Sequence, residues 1–377
     1  MSDITVQRFQ ADIPNTGGSA SITAVSDLSK AFVLIGNNRK MSAGPPSNNG
    51  NMELDDLAGA MYLSATDSVA ILRQSGSLGS DTRFDGEVIE YTGPVGGPNE
   101  FTVIGRYSGT VTATNNTTSV TVTAPSDRKK AIPIITGIIS SENTDGGARG
   151  TAICLMNSDT NVVVYAGGSA SDVTIYFTLV EFTGSNWEVA HGGTTSTADT
   201  GTITLVEEST GNPAGTPKDI GDWSTALIFP QHRGDTGSDT NQAIADNWPV
   251  LSPGADTSSV SFTFNSQRDG TNNFNYCHVL KNSEMDVQRM TDTQSLEGAM
   301  NVTITSTLSD ITKACVVASR YSSGTGTAYG RGWVNYRLTS TSNVELWAHR
   351  SGNTISTNVQ VADFSAMATT SRRIFIM

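Results

Sequence analysis

Cysteine, positive charge and long apolar runs are all scarce in this chain, and each scarcity closes off a class of protein. Only Cys154, Cys277 and Cys315 occur among 377 residues. Their number is odd, each lies in an apolar strand-like run, and no pair has metal-ligand spacing. They read as small buried hydrophobes, not as a disulfide framework or a zinc site. Charged residues make up 16% of the chain, with 23 Lys and Arg against 36 Asp and Glu. A net charge of -13 and a pI near 4.7 argue against a nucleic-acid or anionic-membrane surface. No apolar run approaches the ~18 residues of a membrane span. No charged n-region followed by an apolar h-region opens the sequence, so a protein that matures in a reducing cytoplasm is expected.

What is abundant is turn chemistry. Gly accounts for 37 residues, and Ser, Thr and Asn are plentiful. Apolar residues alternate with polar ones over short stretches, the period of strands half-buried in a sandwich. Within that pattern the chain repeats itself. ITVQRF, from Ile4 to Phe9, leads through an alternating strand to SDLSKA, ending at Lys30-Ala31. MDVQRM, from Met285, leads in the same way to SDITKA, ending at Lys313-Ala314. Two diverged copies lie between. FTVIGRY leads to SDRKKA, aligning Arg106 with Arg8 and Lys130 with Lys30. NWEVAHGG leads to WSTA, with His191 at the arginine position and no lysine. Copies close on Ile-Glu-Tyr (Glu90), Val-Glu-Phe (Glu181) and Val-Ala-Asp-Phe (Asp363), an ending absent from the third.

A self-match of this kind takes precedence over local motifs. It predicts an all-β protein of four tandem β-sandwich-like modules, residues 1–99, 100–184, 185–282 and 283–377. The fourth carries an apolar tail, Ile374 to Met377, expected to dock on its own module or a neighbouring subunit. The 98-, 85- and 98-residue steps from Arg8 to Arg106, His191 and Arg289 alternate long modules with short ones. Each module has too little apolar content for much stability alone, and packing against other modules or subunits would supply the missing burial. The only helix-tolerant segments, 52–61 and 241–248, fall in the extra loops of the long modules.

Candidates for chemistry are few. His191, His232, His278 and His349 have no partner at metal-site spacing. No nucleophile elbow or phosphate-binding loop is present, and the Gly-rich pieces sit between strands as turns. Glu53, Asp55 and Asp56 lack the spacing of a calcium loop. Arg8, Arg106 and Arg289, Lys30, Lys130 and Lys313, and Glu90, Glu181 and Asp363 recur once per module. Recurrence in a lone setting points to structural contacts, the acids pairing with the recurring Lys or Arg. Catalytic residues, cofactors and metals are therefore not expected, and the chain does not read as an enzyme. Tyr329, Trp333, Tyr336 and Trp347 of the fourth module could form a sugar-stacking platform if exposed beside polar loops.

The combination of Val-Gln-Arg, an alternating strand to Lys-Ala and a Val-Glu-Phe ending resembles the tandem β-sandwich modules of tailed-bacteriophage virion proteins. It is carried by ITVQRF, SDLSKAFVLI and GEVIEY, by SDRKKAIPII and FTLVEF, and by MDVQRM, SDITKACVVA and VQVADF. The third module departs from it. The resemblance implies a non-enzymatic virion protein of the tail, collar or capsid surface, assembling as a symmetric homo-oligomer with itself and other virion proteins. The acidic charge balance and the lack of a long apolar run point separately to no nucleic-acid partner and no membrane insertion. A carbohydrate- or receptor-binding tail fibre or lectin-like adhesin, taking a host surface glycan, is the alternative.

Overall fold

The computed structural model describes residues 2–14, 16–40, 59–73, 82–112, 115–140, 151–167, 172–209, 215–234, 249–264, 273–294, 298–322, 334–348 and 354–367. Among them there are strands, turns and short 3-10 helices but no α-helix. The segments 52–58 and 241–248, expected to tolerate helix, lie outside the described residues, and 59–61 belongs to a strand.

Among the described residues each module holds six strands. The first holds β1 (Ile4–Ile13), β2 (Gly18–Ser21), β3 (Ala31–Lys40), β4 (Gly59–Ala65), β5 (Ser68–Arg73) and β6 (Thr82–Tyr91). The second holds β7 (Thr102–Val111), β8 (Thr117–Thr121), β9 (Ala131–Ser140), β10 (Ala152–Ser158), β11 (Asn161–Ala166) and β12 (Val173–Glu181). The third holds β13 (Trp187–Ser196), β14 (Thr200–Thr204), β15 (Ala226–Arg233), β16 (Val250–Pro253), β17 (Ser259–Thr263) and β18 (Asn273–Asn282). The fourth holds β19 (Asp286–Gln294), β20 (Gly298–Thr303), β21 (Ala314–Ser322), β22 (Val334–Ser340), β23 (Asn343–Ala348) and β24 (Ile355–Asp363).

One pairing scheme serves all four. The sixth strand is central in an antiparallel inner sheet between the first and third, as in β1-β6-β3 and β19-β24-β21. The fifth strand is central in an outer sheet between the second and fourth, as in β14-β17-β16 and β20-β23-β22. Period-2 alternation then sorts the side chains. In β6, Phe84 and Val88 face the first module's own outer sheet, whereas Ile89 and Tyr91 belong to a different core. Each module thus has a private core between its two sheets, around Val69 and Ile71, Val162 and Val164, Val260 and Phe262, or Val344 and Leu346.

The other faces of the four inner sheets meet in one axial core. First strands, or the residue just before them, contribute Ile4, Phe101, Trp187 and Met285; third strands contribute Phe32, Ile132, Leu227 and Cys315. Sixth strands contribute the closing aromatics Tyr91, Phe182 and Phe364 at or just beyond their ends. The modules therefore stand in a closed ring, each inner sheet meeting the outer sheet of the module before it. Strand β9 pairs with β4 through Gly137 and Ala60, and β15 pairs with β10 through His232 and Ala152. At β21 the Ser319 hydroxyl accepts from the Leu251 amide of β16 at 3.0 Å. The ring shuts between β3 and β22, where Tyr336 donates its hydroxyl to the Ile35 carbonyl at 3.0 Å. Gly137 has a positive φ of 152°, and a Cβ there would collide with Ala60, so only glycine admits that approach.

The ring has two unlike ends. Inner-sheet first strands start, and sixth strands finish, at the end where the short linkers between modules run. There Asn99 accepts from Asn186 at 3.1 Å and from Asn282 at 3.0 Å and donates to Glu284 at 2.9 Å. Ser2 donates to the Phe364 carbonyl at 2.7 Å beside them, and the Asp3 amide donates to Met367 at 2.6 Å. At the far end first and third strands finish and sixth strands start.

Candidate functional site

The recurring arginines and the capped turns meet at the joints between modules. The local starting point is a 3-10 turn ahead of the third strand. Asp27, Asp127, Asp222 and Asp310 cap these turns, their carboxylates accepting from the amides of Ser29, Lys129, Ser224 and Thr312. The turns leave carbonyls pointing outward, and the next module's arginine takes them. Arg106 donates to the Leu28 and Ala31 carbonyls, both at 2.9 Å. Arg289 donates to Trp223 at 2.7 Å and to Ala226. Arg8 donates to Ile311 at 2.7 Å and to Ala314, closing the ring from the first module to the last. A guanidinium fork suits two carbonyls better than any other side chain, and such charge-assisted bonds are the strong ones.

Opposite each clamp, on the sixth strand, stands a residue that differs between modules. Arg8 faces Glu87, Arg106 faces Thr178, His191 faces His278 and Arg289 faces Gln360. Glu87 forms an ion pair with Arg8 at 3.0 Å and accepts from the Val316 amide of the last module at 2.9 Å. Burial pushes its carboxyl up, against the pull of Arg8 and that amide. Gln360 brackets Ile228 of the preceding module, accepting from its amide at 3.0 Å and donating to its carbonyl at 2.8 Å. Burial lowers the pKa of Arg106, and brings that of Arg289 down to about 10, so both stay cationic near neutral pH.

The closing acids do something else. Glu90 accepts from the amide and hydroxyl of Ser26 at 2.6 and 2.7 Å. Glu181 accepts from Ser126 and from the Asp127 amide at 2.7 Å. Both tie the end of the sixth strand to the capped turn within one module. Among the described residues neither forms the expected ion pair with a recurring Lys or Arg. Asp363, one methylene shorter, accepts from Ser365 in its own segment at 2.8 Å. The lysine position works through its backbone: the Lys130 and Lys313 carbonyls accept from Phe182 and Phe364 at 3.0 and 2.7 Å. The Lys30 ammonium lies 5.8 Å from the centre of the Tyr91 ring. Sequence reading missed Asp222; its signal was an aspartate four residues before the alanine in all four copies.

Histidine replaces arginine at one contact only. His191 and His278 approach Nδ1 to Nδ1 at 2.8 Å, and His191 Nε2 lies 3.3 Å from the Lys129 carbonyl of the preceding module. Both rings are fully buried. Burial pulls His191 down to about 4 and His278 well below its ordinary value. His232, beside Asn275 at 2.8 Å inside the third module, is pulled down to about 3 for the same reason. All three are neutral at pH 7. The three cysteines are buried, and burial raises their thiols.

Two cavities flank these contacts. One of ≈ 230 Å³ lies on the axis towards the far end, lined by the four third strands through Leu34, Ile134, Phe229 and Val317. The other, ≈ 390 Å³, opens between the first and fourth modules. Its polar groups are engaged with one another: Gln10 and Asn335 donate to Asp85 at 2.6 and 2.8 Å, Arg8 pairs with Glu87, and Arg337 pairs with Glu345 at 2.8 Å. Of the sugar-platform candidates, Tyr336 is buried and spent on Ile35, which removes it. Trp347 is half-buried on β23. Tyr329 and Trp333 lie outside the described residues, as do Glu53, Asp55, Asp56, His349 and the tail 374–377. Among the described residues no group of three or more His, Cys, Asp or Glu is placed to hold a metal ion. No family model, curated protein or solved structure matches this chain.

Proposed function

We propose that the chain is a non-enzymatic structural protein of a tailed-bacteriophage virion, assembling as a symmetric homo-oligomer on the tail, collar or capsid surface. The observation that supports this reading is where the recurring polar residues are spent. Arginines, capping aspartates and closing glutamates all hold turns and joints together, and none converges on a reacting centre. The modules already supply each other's missing burial within one chain. Self-association would therefore use other surfaces, such as the rim strands β2, β8, β14 and β20, each paired on one edge only among the described residues. The test is the solution mass and negative-stain shape of the purified full-length chain. A defined multiple of 39.7 kDa with closed symmetry is expected. A monomer would sink self-assembly.

A carbohydrate- or receptor-binding role is the second reading, favoured by the axial cavity. Retention on polysaccharide, lost in Trp333→Ala or Trp347→Ala, is its signature. Retention unchanged in both would remove this site.

A further inference from the structure

We propose that the joint between the second and third modules is acid-sensitive, the place where the ring opens first while the other three joints hold. Those three are clamped by guanidinium groups, which stay charged throughout the acid range. The fourth is clamped by an imidazole that must remain neutral. His191 Nε2 faces a carbonyl, so it carries the hydrogen, and Nδ1 is left as an acceptor. His278 must then supply the Nδ1 hydrogen between the rings. One added proton leaves two donors face to face, or forces His278 into its other tautomer with a charge on His191.

Neither outcome is solvated. Arg8 is 21% exposed and faces a carboxylate, whereas His191 and His278 are each 0% exposed. The groups around the pair offer no anion. Tyr276 packs edge-on to His278, with ring centres 5.0 Å apart, and its hydroxyl is bound to Ser209 at 2.9 Å. From the preceding module come Cys154, whose backbone favours a proton on His278 but is outweighed by burial, and Arg128, whose charge opposes a proton on His191. The carboxylates on that contact, Glu207 and Glu208, are held by Lys129 at 2.8 Å and by Arg128 at 3.6 Å. Folding therefore lowers the proton affinity of the pair. Its stabilising contribution is complete above the unfolded pKa near 6.5 and is lost as pH falls towards about 4.

Hydrogen exchange on the full-length chain, corrected for intrinsic rates, reads the four joints separately through residues 27–31, 127–131, 222–226 and 310–314. Between pH 7.5 and 5.5, opening at 127–131 and in β13 should rise on the order of tenfold, with the other three turns changing less than about twofold. The double variant His191→Arg/His278→Gln copies the Arg289 and Gln360 pair and should abolish the rise. Four outcomes would overturn the proposal: no rise, an equal rise at all joints, a fall, or a rise that persists in the folded double variant. The last would assign the effect to His232. Should the double variant not fold, the pattern across the four joints of the wild-type chain decides alone.

Discussion

The joint that closes the ring and the joint between the first two modules make an instructive pair. Ten residues of continuous chain lie between the last residue of β6 and the first of β7, whereas Arg8 and Ile311 are 303 positions apart. Yet both joints use the same clamp, an arginine on the first strand reaching two carbonyls of the capped turn. Covalent continuity is therefore not what orients one module on the next. The difference lies across the clamp. At the closing joint a buried Glu87 faces the arginine and reaches into the neighbouring module; at the linked joint Thr178 stands there.

Breaking the two clamps should separate these joints most. Arg8→Ala strands a buried carboxylate, and a loss of about 3–5 kcal/mol in chemical denaturation is expected. Arg106→Ala removes bonds of the same kind without orphaning a charge, and should cost about 2 kcal/mol. Equal losses would mean that Glu87 finds another partner. Glu87→Gln tests the same point from the other side. A neutral partner already serves Arg289, so the loss should be only about 1 kcal/mol, read by the same titration. The smallest effect belongs to Tyr336→Phe, which deletes the bond to Ile35 and should lower stability by about 0.5–1 kcal/mol. A larger drop would assign the tyrosine a share of ring closure that a single hydroxyl does not explain.

The repeat was legible because strands and turns leave local traces. Alternation marked the strands, and the lysine-alanine pair, with Thr225-Ala226 in the third module, marked the start of the third strands, where Ala31, Ala131, Ala226 and Ala314 are fully buried. His191 was recognised as standing in the arginine position by aligning NWEVAHGG with the other copies, and β13 places it there. The partners were not legible. An arginine's target 63 to 306 residues away leaves no local pattern, so closure of the ring could not be read from composition or period. Glu90 was expected to meet a lysine or arginine because unlike charges invite pairing, but the nearer amide and hydroxyl of Ser26 satisfy it at less cost in side-chain order. Whether Tyr336 was exposed enough for a sugar platform was not legible, because its strand meets another module, which alternation cannot reveal.

The axial core has a consequence for how the molecule comes apart. Its residues come from four inner sheets, and no module owns it: removing any one would expose Phe32, Phe101, Trp187 or Phe364 together with the faces they cover. Loss of one unit thus withdraws a wall from the other three, and the energetic domain is the whole ring even though the architectural unit is a quarter of it. Such coupling favours one heat-absorption peak over four successive ones, with the calorimetric and van't Hoff enthalpies in agreement.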